Sequence, residues 1–391
     1  MNYFQLMRHA LSLRPCTILS TGRTGSDFLQ SLLDSHPEVL GFNGIFFFYE
    51  FWNNSKCVKA TRFDLSDFID ELIGMHIEKF KSRYDLTENK DKLGINRNQS
   101  IDINISKFRK HVINLLNDYE INSKNSLIAI YTAYALCLDQ DIMCKKVLVH
   151  HIHHCFRLPH YLNDFPESKI ISTTRDPRAN FVSSVLHWRQ FTGVKKASVI
   201  NNSFQKIQRD VIVGRDYKSN EHAAVRLEHM GDKKTLMKLA AWLGIEYNVS
   251  MKISTFGGLV WHGDKLSQGK RSGIGFSKEL AFNEWEKILP RKDKYIFNLL
   301  MYNRLKSYDY PCKKVGLFGK IFAPLIIILP LKFERDLFTY NHIRSKIKEG
   351  KFLEEIKENL KSYFIRVKLC FELYFDIIKN RKFTVKLIDQ Y

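Results

Sequence analysis

Two segments of the sequence combine glycine, hydroxyl and arginine side chains in a spacing that suits anion binding. The first is Thr21-Gly22-Arg23-Thr24-Gly25-Ser26, which follows the apolar run Thr17-Ile18-Leu19-Ser20. Apolar residues then recur at helical spacing from Phe28 to Leu33, and His36-Pro37 ends the pattern. We expect a strand, a glycine turn and a helix with Ser26 as its N-cap. Amides at a helix N-terminus favour an anion, although an ordinary strand-to-helix turn has the same pattern.

The second segment is Arg175-Asp176-Pro177-Arg178-Ala179-Asn180-Phe181-Val182-Ser183. It follows the buried-strand pattern Lys169-Ile170-Ile171-Ser172-Thr173-Thr174, and Pro177 is typical of a first helical turn. Arg175 at the strand end and Ser183 nearly two turns into the helix are spaced to converge on one phosphate. Taken singly, Arg175 also fits a surface salt bridge and Ser183 a packing position.

In this order the two segments resemble the sulfotransferase family, over roughly residues 16–310. The resemblance implies 3'-phosphoadenosine 5'-phosphosulfate as the sulfuryl donor, without a metal. It also implies that the first loop grips the 5'-phosphosulfate and the second the 3'-phosphate. The donor contacts that it implies in these two segments are Gly22, Arg23, Thr24, Gly25, Ser26, Asp27, Arg175 and Ser183.

Two later segments are similar to the family pattern, but less closely. Val225-Arg226-Leu227-Glu228-His229-Met230 looks like a diverged V-R-Y-E-D-L segment and also fits a plain buried strand. Gly269-Lys270-Arg271-Ser272-Gly273-Ile274-Gly275 looks like a basic loop that closes over the donor, which implies Lys270 and Arg271 as further donor contacts. A solvated basic loop is the alternative.

The sequence departs from the family pattern at two positions. Asp27 stands where relatives carry a small hydroxyl residue, which places a carboxylate in the first turn of the helix. The segment Gly41-Phe42-Asn43-Gly44-Ile45-Phe46 lacks the glutamate of the family's G-E-I-F segment. The motifs therefore do not supply a general base.

Sulfuryl transfer needs a base for the acceptor proton and positive charge near the leaving phosphate oxygen. Arg23 and the loop amides meet the second need. For the first, we predict His151, because a neutral imidazole accepts protons near pH 7, and Glu50 is the carboxylate alternative.

His151 belongs to a cluster that follows the strand pattern Val147-Leu148-Val149. If the strand continues, His151 and His153 share one face, and His150 and His154 share the other. At most two of the four would then be catalytic, and the rest structural. The nearby Cys144 and Cys155 fit no standard zinc spacing, so no metal site is predicted.

The order of elements predicts an α/β fold of the P-loop-like, three-layer type. Alternating strands and helices favour a mostly parallel central sheet flanked by helices, with ligands beyond the carboxyl ends of the strands. Further helices are expected at 105–119, before Gly244, near Trp285 and at 296–305, and a long loop at 253–278. A change of composition predicts a sulfotransferase domain at 1–314 and a helical extension at 315–391.

Composition narrows the class of protein and its partners. With 45% hydrophobic and 26% charged residues, the 391-residue chain is not intrinsically disordered. The net charge of +20 indicates an anionic partner. We expect nucleotide phosphates and an acceptor rather than nucleic acid. Seven scattered cysteines and the lack of a signal-peptide pattern predict free thiols and a cytoplasmic location.

The extension has two interpretations. Residues 315–333 are largely apolar, but Lys320, Pro324 and Pro330 interrupt them, and the run falls short of the ~20 residues that span a bilayer. Nearby lysines and the apolar face would attach the chain peripherally to an anionic inner membrane face. Alternatively, the segment packs on the catalytic domain, with 343–382 as a helical hairpin.

The sequence therefore predicts a sulfotransferase that acts on a hydroxyl or amine, with a glycan or glycolipid as the acceptor that the resemblance favours. A nucleotide kinase-like phosphotransferase is the alternative enzyme, disfavoured because the loop lacks the G-x-x-x-x-G-K-[ST] lysine and no magnesium ligand is evident. A non-catalytic basic protein that binds glycans or membranes is the third possibility.

Overall fold

The computed structural model describes residues 2–20, 22–81, 93–190, 195–216, 221–263, 274–282, 285–379 and 385–391. The strands in this part are β1 Arg14–Leu19, β2 Val39–Leu40, β3 Val147–Ile152, β4 Lys169–Thr174, β5 His222–Arg226, β6 Thr255–Phe256, β7 Leu259–Val260 and β8 Lys386–Leu387.

The α-helices fall into two sets along the chain. Those before residue 245 are α1 Tyr3–Leu11, α2 Ser26–Leu33, α3 Phe48–Asn54, α4 Lys56–Lys59, α5 Leu65–Met75, α6 Ile77–Lys81, α7 Ile105–Leu116, α8 Ser123–Cys137, α9 Leu158–Asp164, α10 Pro177–Trp188, α11 Lys196–Asp216 and α12 Lys233–Leu243. Those after it are α13 Lys278–Phe282, α14 Trp285–Ile288, α15 Arg291–Leu300, α16 Tyr302–Ser307, α17 Leu317–Ile327, α18 Lys332–Arg335, α19 Tyr340–Lys348 and α20 Phe352–Ile378.

Six of these strands form one sheet in the order β2-β3-β1-β4-β5-β8, and every pairing in it is parallel. β1 lies in the middle of this sheet, and five of its six residues are buried. Its neighbours are β3, with Thr17 opposite His150, and β4, with Thr17 opposite Ile170. The chain leaves β1 toward one side of the sheet and later fills the other side, so the carboxyl end of β1 is the switch point where ligands bind in open α/β sheets.

Helices cover both faces of the sheet, as in the predicted three-layer α/β fold. One hydrophobic cluster joins α1, α2, α7 and α8 to β1 and β3. A second joins α10, α11, α15, α17 and α20, and includes Ala224 of β5. The predicted α/β fold, with a parallel central sheet flanked by helices, is confirmed.

The segment after residue 314 packs closely with what precedes it. Leu369 and Leu373 of α20 share a hydrophobic cluster with Phe181 and Phe204, and β8 pairs with β5 as the last strand of the sheet. This agrees with the interpretation in which the extension packs on the catalytic domain. The domain boundary near residue 314 stays a prediction.

Two predicted local features are wrong. Gly25, not Ser26, is the N-cap of α2, with φ 91°, and Ser26 is the first helical residue. The expected loop at 253–278 contains a short antiparallel hairpin of β6 and β7, which pairs Phe256 with Leu259. In both cases a positive-φ glycine sets the turn, since Gly257 and Gly258 lie between the hairpin strands at φ 54° and 78°.

Candidate active site

The first glycine turn lies at the carboxyl end of the central strand β1 and leads into α2. Gly22, Arg23 and Gly25 have φ values of 87°, 57° and 91°, a left-handed sequence that a regular strand or helix does not contain. Thr24 is buried, and its hydroxyl hydrogen-bonds that of Thr173 on β4 at 2.7 Å. The turn is thereby fixed to the neighbouring strand. Such a turn, leading into the N-terminus of an eight-residue helix, suits an anion.

Lys206 of α11 adds a cation that the sequence did not single out. A β-carbon at Gly22 would lie 3.3 Å from the Lys206 ammonium, so the lysine rests against the backbone of the turn. The same ammonium lies 4.8 Å from the centre of the Trp188 ring. Nothing in the sequence indicated that Lys206 belongs to the site, because Lys206 lies in no motif and reaches the turn only through the packing of α11.

The second predicted segment also lies at this edge of the sheet. Arg175 follows β4, is only 4% exposed, and donates from Nε and Nη2 to the carbonyl oxygen of Ala281 at 3.1 and 2.9 Å. The idea that it is a surface salt-bridge residue is therefore wrong. Burial lowers the pKa of Arg175 to about 10; the nearby Glu228 carboxylate opposes this, and Arg23 adds to it. Arg175 is still a cation at neutral pH.

Glu228 and Asp176 hold the turn that carries Arg175. The buried Glu228 carboxylate accepts from the Asp176 amide at 3.1 Å and from the Tyr310 hydroxyl at 3.0 Å. Asp176 caps α10 and pairs with Arg178 at 2.6 Å. The segment Val225 to Met230 is thus a strand followed by a turn whose glutamate positions Arg175.

Ser183 lies on α10, half-buried, about two turns from the start of that helix as predicted. Lys270 and Arg271 lie outside the described residues. The predicted donor contacts that the structure brings to one edge of the sheet are therefore the β1–α2 turn and Arg175.

His151 is held in one tautomer by Gln30 of α2. Gln30 Nε2 donates to the carbonyl oxygens of Phe42 and Gly44 at 3.0 and 2.9 Å, so its Oε1 faces His151 Nδ1 at 2.8 Å. Nδ1 must then donate, which leaves the lone pair on Nε2. Nε2 is buried and has no hydrogen-bond partner among the described residues. An imidazole in this state can accept a proton.

Burial keeps His151 neutral, and the Asp27 carboxylate lies where it can stabilise the positive charge of a protonated His151. Desolvation holds the pKa of His151 well below 6.5, and the nearby ring of His153 lowers it further. The Asp27 carboxylate lies 3.7 Å from Nδ1, on the first turn of α2. A carboxylate at this distance stabilises a transient imidazolium. Asp27, which the resemblance implied as a donor contact, thus lies beside the predicted base.

The other histidines divide as the strand alternation predicts, with one exception. His150 points to the opposite face, bonds the Tyr131 hydroxyl at 2.7 Å and stacks on Tyr161. His153 lies 5.9 Å from His151, centre to centre. His154 was expected beside His150, but it lies 5.2 Å from His153, because β3 ends at Ile152 and the alternation ends with it.

A row of rings leads from His153 to the surface. His154 stacks between Phe47 and Phe156 at 5.5 and 5.4 Å, and Phe156 is 56% exposed. Glu50, the alternative base, is 3.3 Å from Arg157 in an ion pair. Glu50 is therefore engaged beside this row rather than beside the glycine turn.

No group of three or more histidine, cysteine, aspartate or glutamate side chains in the described residues is arranged to hold a metal ion. All seven cysteines lie within these residues, each as a free thiol.

Comparison with known proteins gives one family and one related structure. The model of the Sulfotransferase family matches residues 15–248. Among solved structures, the sulfotransferase domain of the Synechococcus PCC 7002 olefin synthase is 16% identical, with a TM-score of 0.36, over 72% of this chain and 90% of that domain. No curated protein matches the chain.

Proposed function

Because the chain belongs to the sulfotransferase family, we propose that it transfers the sulfuryl group of 3'-phosphoadenosine 5'-phosphosulfate to a hydroxyl or amine of a glycan or glycolipid. The observation that supports this most is the meeting of a cationic glycine turn and a neutral imidazole with a free lone pair at the carboxyl edge of β1, β3 and β4. A transferase of this kind needs both an anion site and a base.

The residues present fit a doubly phosphorylated donor. Arg23, Lys206 and Arg175 supply three cations, and the left-handed turn brings backbone amides to the N-terminus of α2. When bound, the donor supplies the sulfuryl group, which leaves the 5'-phosphate oxygen as the acceptor oxygen or nitrogen bonds to sulfur. The turn and Lys206 would hold the 5'-phosphosulfate, and Arg175 with Ser183 the 3'-phosphate.

His151 would take the proton that the acceptor loses. Its Nε2 lone pair faces no hydrogen-bond donor among the described residues, Gln30 holds Nδ1 as the donor, and Asp27 balances the charge that forms. Arg23 and Lys206 would stabilise the charge that builds on the leaving phosphate oxygen. These roles require no change of tautomer.

The ring row supports a glycan acceptor. Phe47, His154 and Phe156 offer stacked ring faces that continue to the surface from the side of His153. A sugar ring has an apolar face that packs on aromatic rings and hydroxyls that reach polar neighbours, so a sugar on Phe156 could extend a hydroxyl toward the histidines.

Titration calorimetry with adenosine 3',5'-bisphosphate, without magnesium, tests the donor site. We expect micromolar affinity for the full chain and a loss of about tenfold or more in Lys206→Ala and in Arg175→Ala, because each removes a cation from the phosphates. Lys206 is half-buried, so its variant should fold even if Arg175→Ala does not.

Lys233→Ala is the matched control, since it removes one exposed cation from α12. Absence of binding by the folded wild-type chain would reject the donor assignment. Magnesium-dependent turnover of ATP would favour the phosphotransferase, and bisphosphate binding without transfer to any glycan or glycolipid would favour a non-catalytic binding protein.

A further inference from the structure

Helix α17 presents a continuous apolar face to the solvent. Its outer residues recur at helical spacing and continue past its last turn, and Phe318 is 77% exposed. The exposed members of this face are Leu317, Phe318, Ile321, Phe322, Leu325, Ile328 and Leu329. Single exposed apolar residues are ordinary on a protein surface, but a contiguous set on one helix marks an interaction site.

The opposite side of α17 is firmly packed, so the orientation of the exposed face is fixed. Ala323 and Ile327 are fully buried against α20. The Tyr374 hydroxyl donates to the Lys320 carbonyl at 2.8 Å, and the buried Arg366 donates to the carbonyl of Ile327. Arg366 also pairs with Glu334 at 2.8 Å. The apolar face is thus held outward by contacts at both ends of the helix.

Helix α20 extends the same surface. Tyr363 and Tyr374, which contact the α17 segment, are followed around the helix by an apolar stripe with a period of three or four residues. The stripe consists of Leu360, Phe364, Phe371, Phe375 and Ile378, of which all but Phe371 are exposed. Together with the outer residues of α17 it forms what we name the apolar face.

Lysines border the apolar face. On α20 the exposed residues Lys357, Lys361 and Lys368 recur at helical spacing beside the stripe, and Lys313 and Lys314 precede α17. Glu354 and Glu358 of α20 lie 3.9 and 3.2 Å from Lys195, a lysine outside this border. An apolar surface with a cationic rim complements a bilayer with anionic headgroups.

We infer that the apolar face is a docking surface for an anionic lipid membrane, with α17 lying in the headgroup boundary. Two charge arguments favour a bilayer over a second copy of the chain: the net charge is +20, and two cationic rims would repel each other. The attachment is peripheral, because no helix among the described residues is long and apolar enough to cross a bilayer. At 11 residues, α17 suits an interfacial position.

Vesicle flotation of the 391-residue chain tests the inference. Vesicles of phosphatidylcholine with about one third phosphatidylglycerol, at low salt, should carry the protein, and phosphatidylcholine alone should carry much less. The double substitution Phe318→Ser and Phe322→Ser should lower the partition coefficient by about tenfold or more. Both rings are exposed, so their replacement leaves the core intact.

Further variants separate the apolar contribution to membrane binding from the electrostatic one. They also test the rival occupant, a second copy of the chain. Val249→Ser, which changes a 69% exposed apolar residue near the other hydrophobic cluster, should bind vesicles like the wild type. Lys357→Gln, Lys361→Gln and Lys368→Gln together should remove the preference for anionic vesicles. Three outcomes would overturn the inference. They are equal binding to neutral and anionic vesicles, no binding to either, and a dimer that light scattering detects without vesicles and that the Phe318/Phe322 double substitution abolishes.

Discussion

The candidate base depends on the amide of one glutamine. The Gln30 side-chain amide donates both of its N–H groups to the carbonyl oxygens of Phe42 and Gly44, so only its oxygen is left to bond His151. The hydrogen bond fixes the proton on Nδ1 and the lone pair on Nε2. Because burial holds the pKa of His151 well below 6.5, the ring is neutral throughout the physiological range. Activity should therefore show no acidic limb near pH 6.5.

Replacing Gln30 by Leu should lower kcat about 10- to 100-fold and leave the donor KM within about twofold, because the tautomer is no longer fixed while the anion site is intact. Steady-state assays from pH 5.5 to 8.5, with a sulfated acceptor as the product, measure this. The control is the same substitution made in His151→Asn. If Gln30 acts through His151, it costs nothing further there; an equal loss in both backgrounds would show a merely structural role.

The turn between β1 and α2 joins the anion site to the centre of the sheet. Gly25 caps α2 with φ 91°, and a β-carbon there would lie 2.5 Å from Leu227 Cδ1, in the turn that also carries Glu228. Both the backbone conformation and the space exclude a side chain. One glycine thus links the first loop to the turn that positions Arg175.

Substituting Gly25 by Ala should destabilise the protein by roughly 1–3 kcal/mol and weaken adenosine 3',5'-bisphosphate binding about tenfold, because the left-handed backbone is strained and Leu227 must move. Urea unfolding and calorimetry measure the two effects. Gly41→Ala is the matched control: a β-carbon there has no neighbour within 4 Å, and Gly41 has no positive φ. Similar behaviour of the two variants would contradict the assignment of Gly25.

Across the whole molecule, several histidines are buried as neutral rings. Desolvation lowers the pKa of His150 to about 3, and those of His76 and His222 to about 4. In the unfolded chain these rings bind protons near pH 6.5, whereas the folded rings resist protonation until the pH is far lower. The unfolded state therefore binds more protons in this window, and folding stability falls as the pH falls from about 6.5 toward 4.

Between pH 7.5 and pH 5.5, each such histidine should lower the free energy of unfolding by about 1 kcal/mol. Urea denaturation at the two pH values measures the total. His222→Gln, which can keep the hydrogen bond to Ser172, should show a smaller pH dependence by about that amount. Equal stability at both pH values would contradict the burial of neutral histidines.

The sequence by itself determined the features that depend on neighbouring residues. The β4 strand and the helix that starts at Pro177 follow from a buried apolar run and from the fixed φ of proline. α12 ends at Gly244 with φ 75°, the left-handed conformation that glycine favours after a helix. The sequence pattern also predicted the glycine turn and the alternation of strands and helices, and therefore the α/β fold.

Only the tertiary structure decided which distant residues meet at the site and which strand forms the last edge of the sheet. Gln30 reaches His151 across 121 positions, and Glu228 reaches the Asp176 amide across 52. Lys206 reaches Gly22 through helix packing, and β8 pairs with β5 from the far end of the chain. Periodicity and turn chemistry report on a few neighbouring residues, whereas these contacts arise from how helices and strands pack after folding.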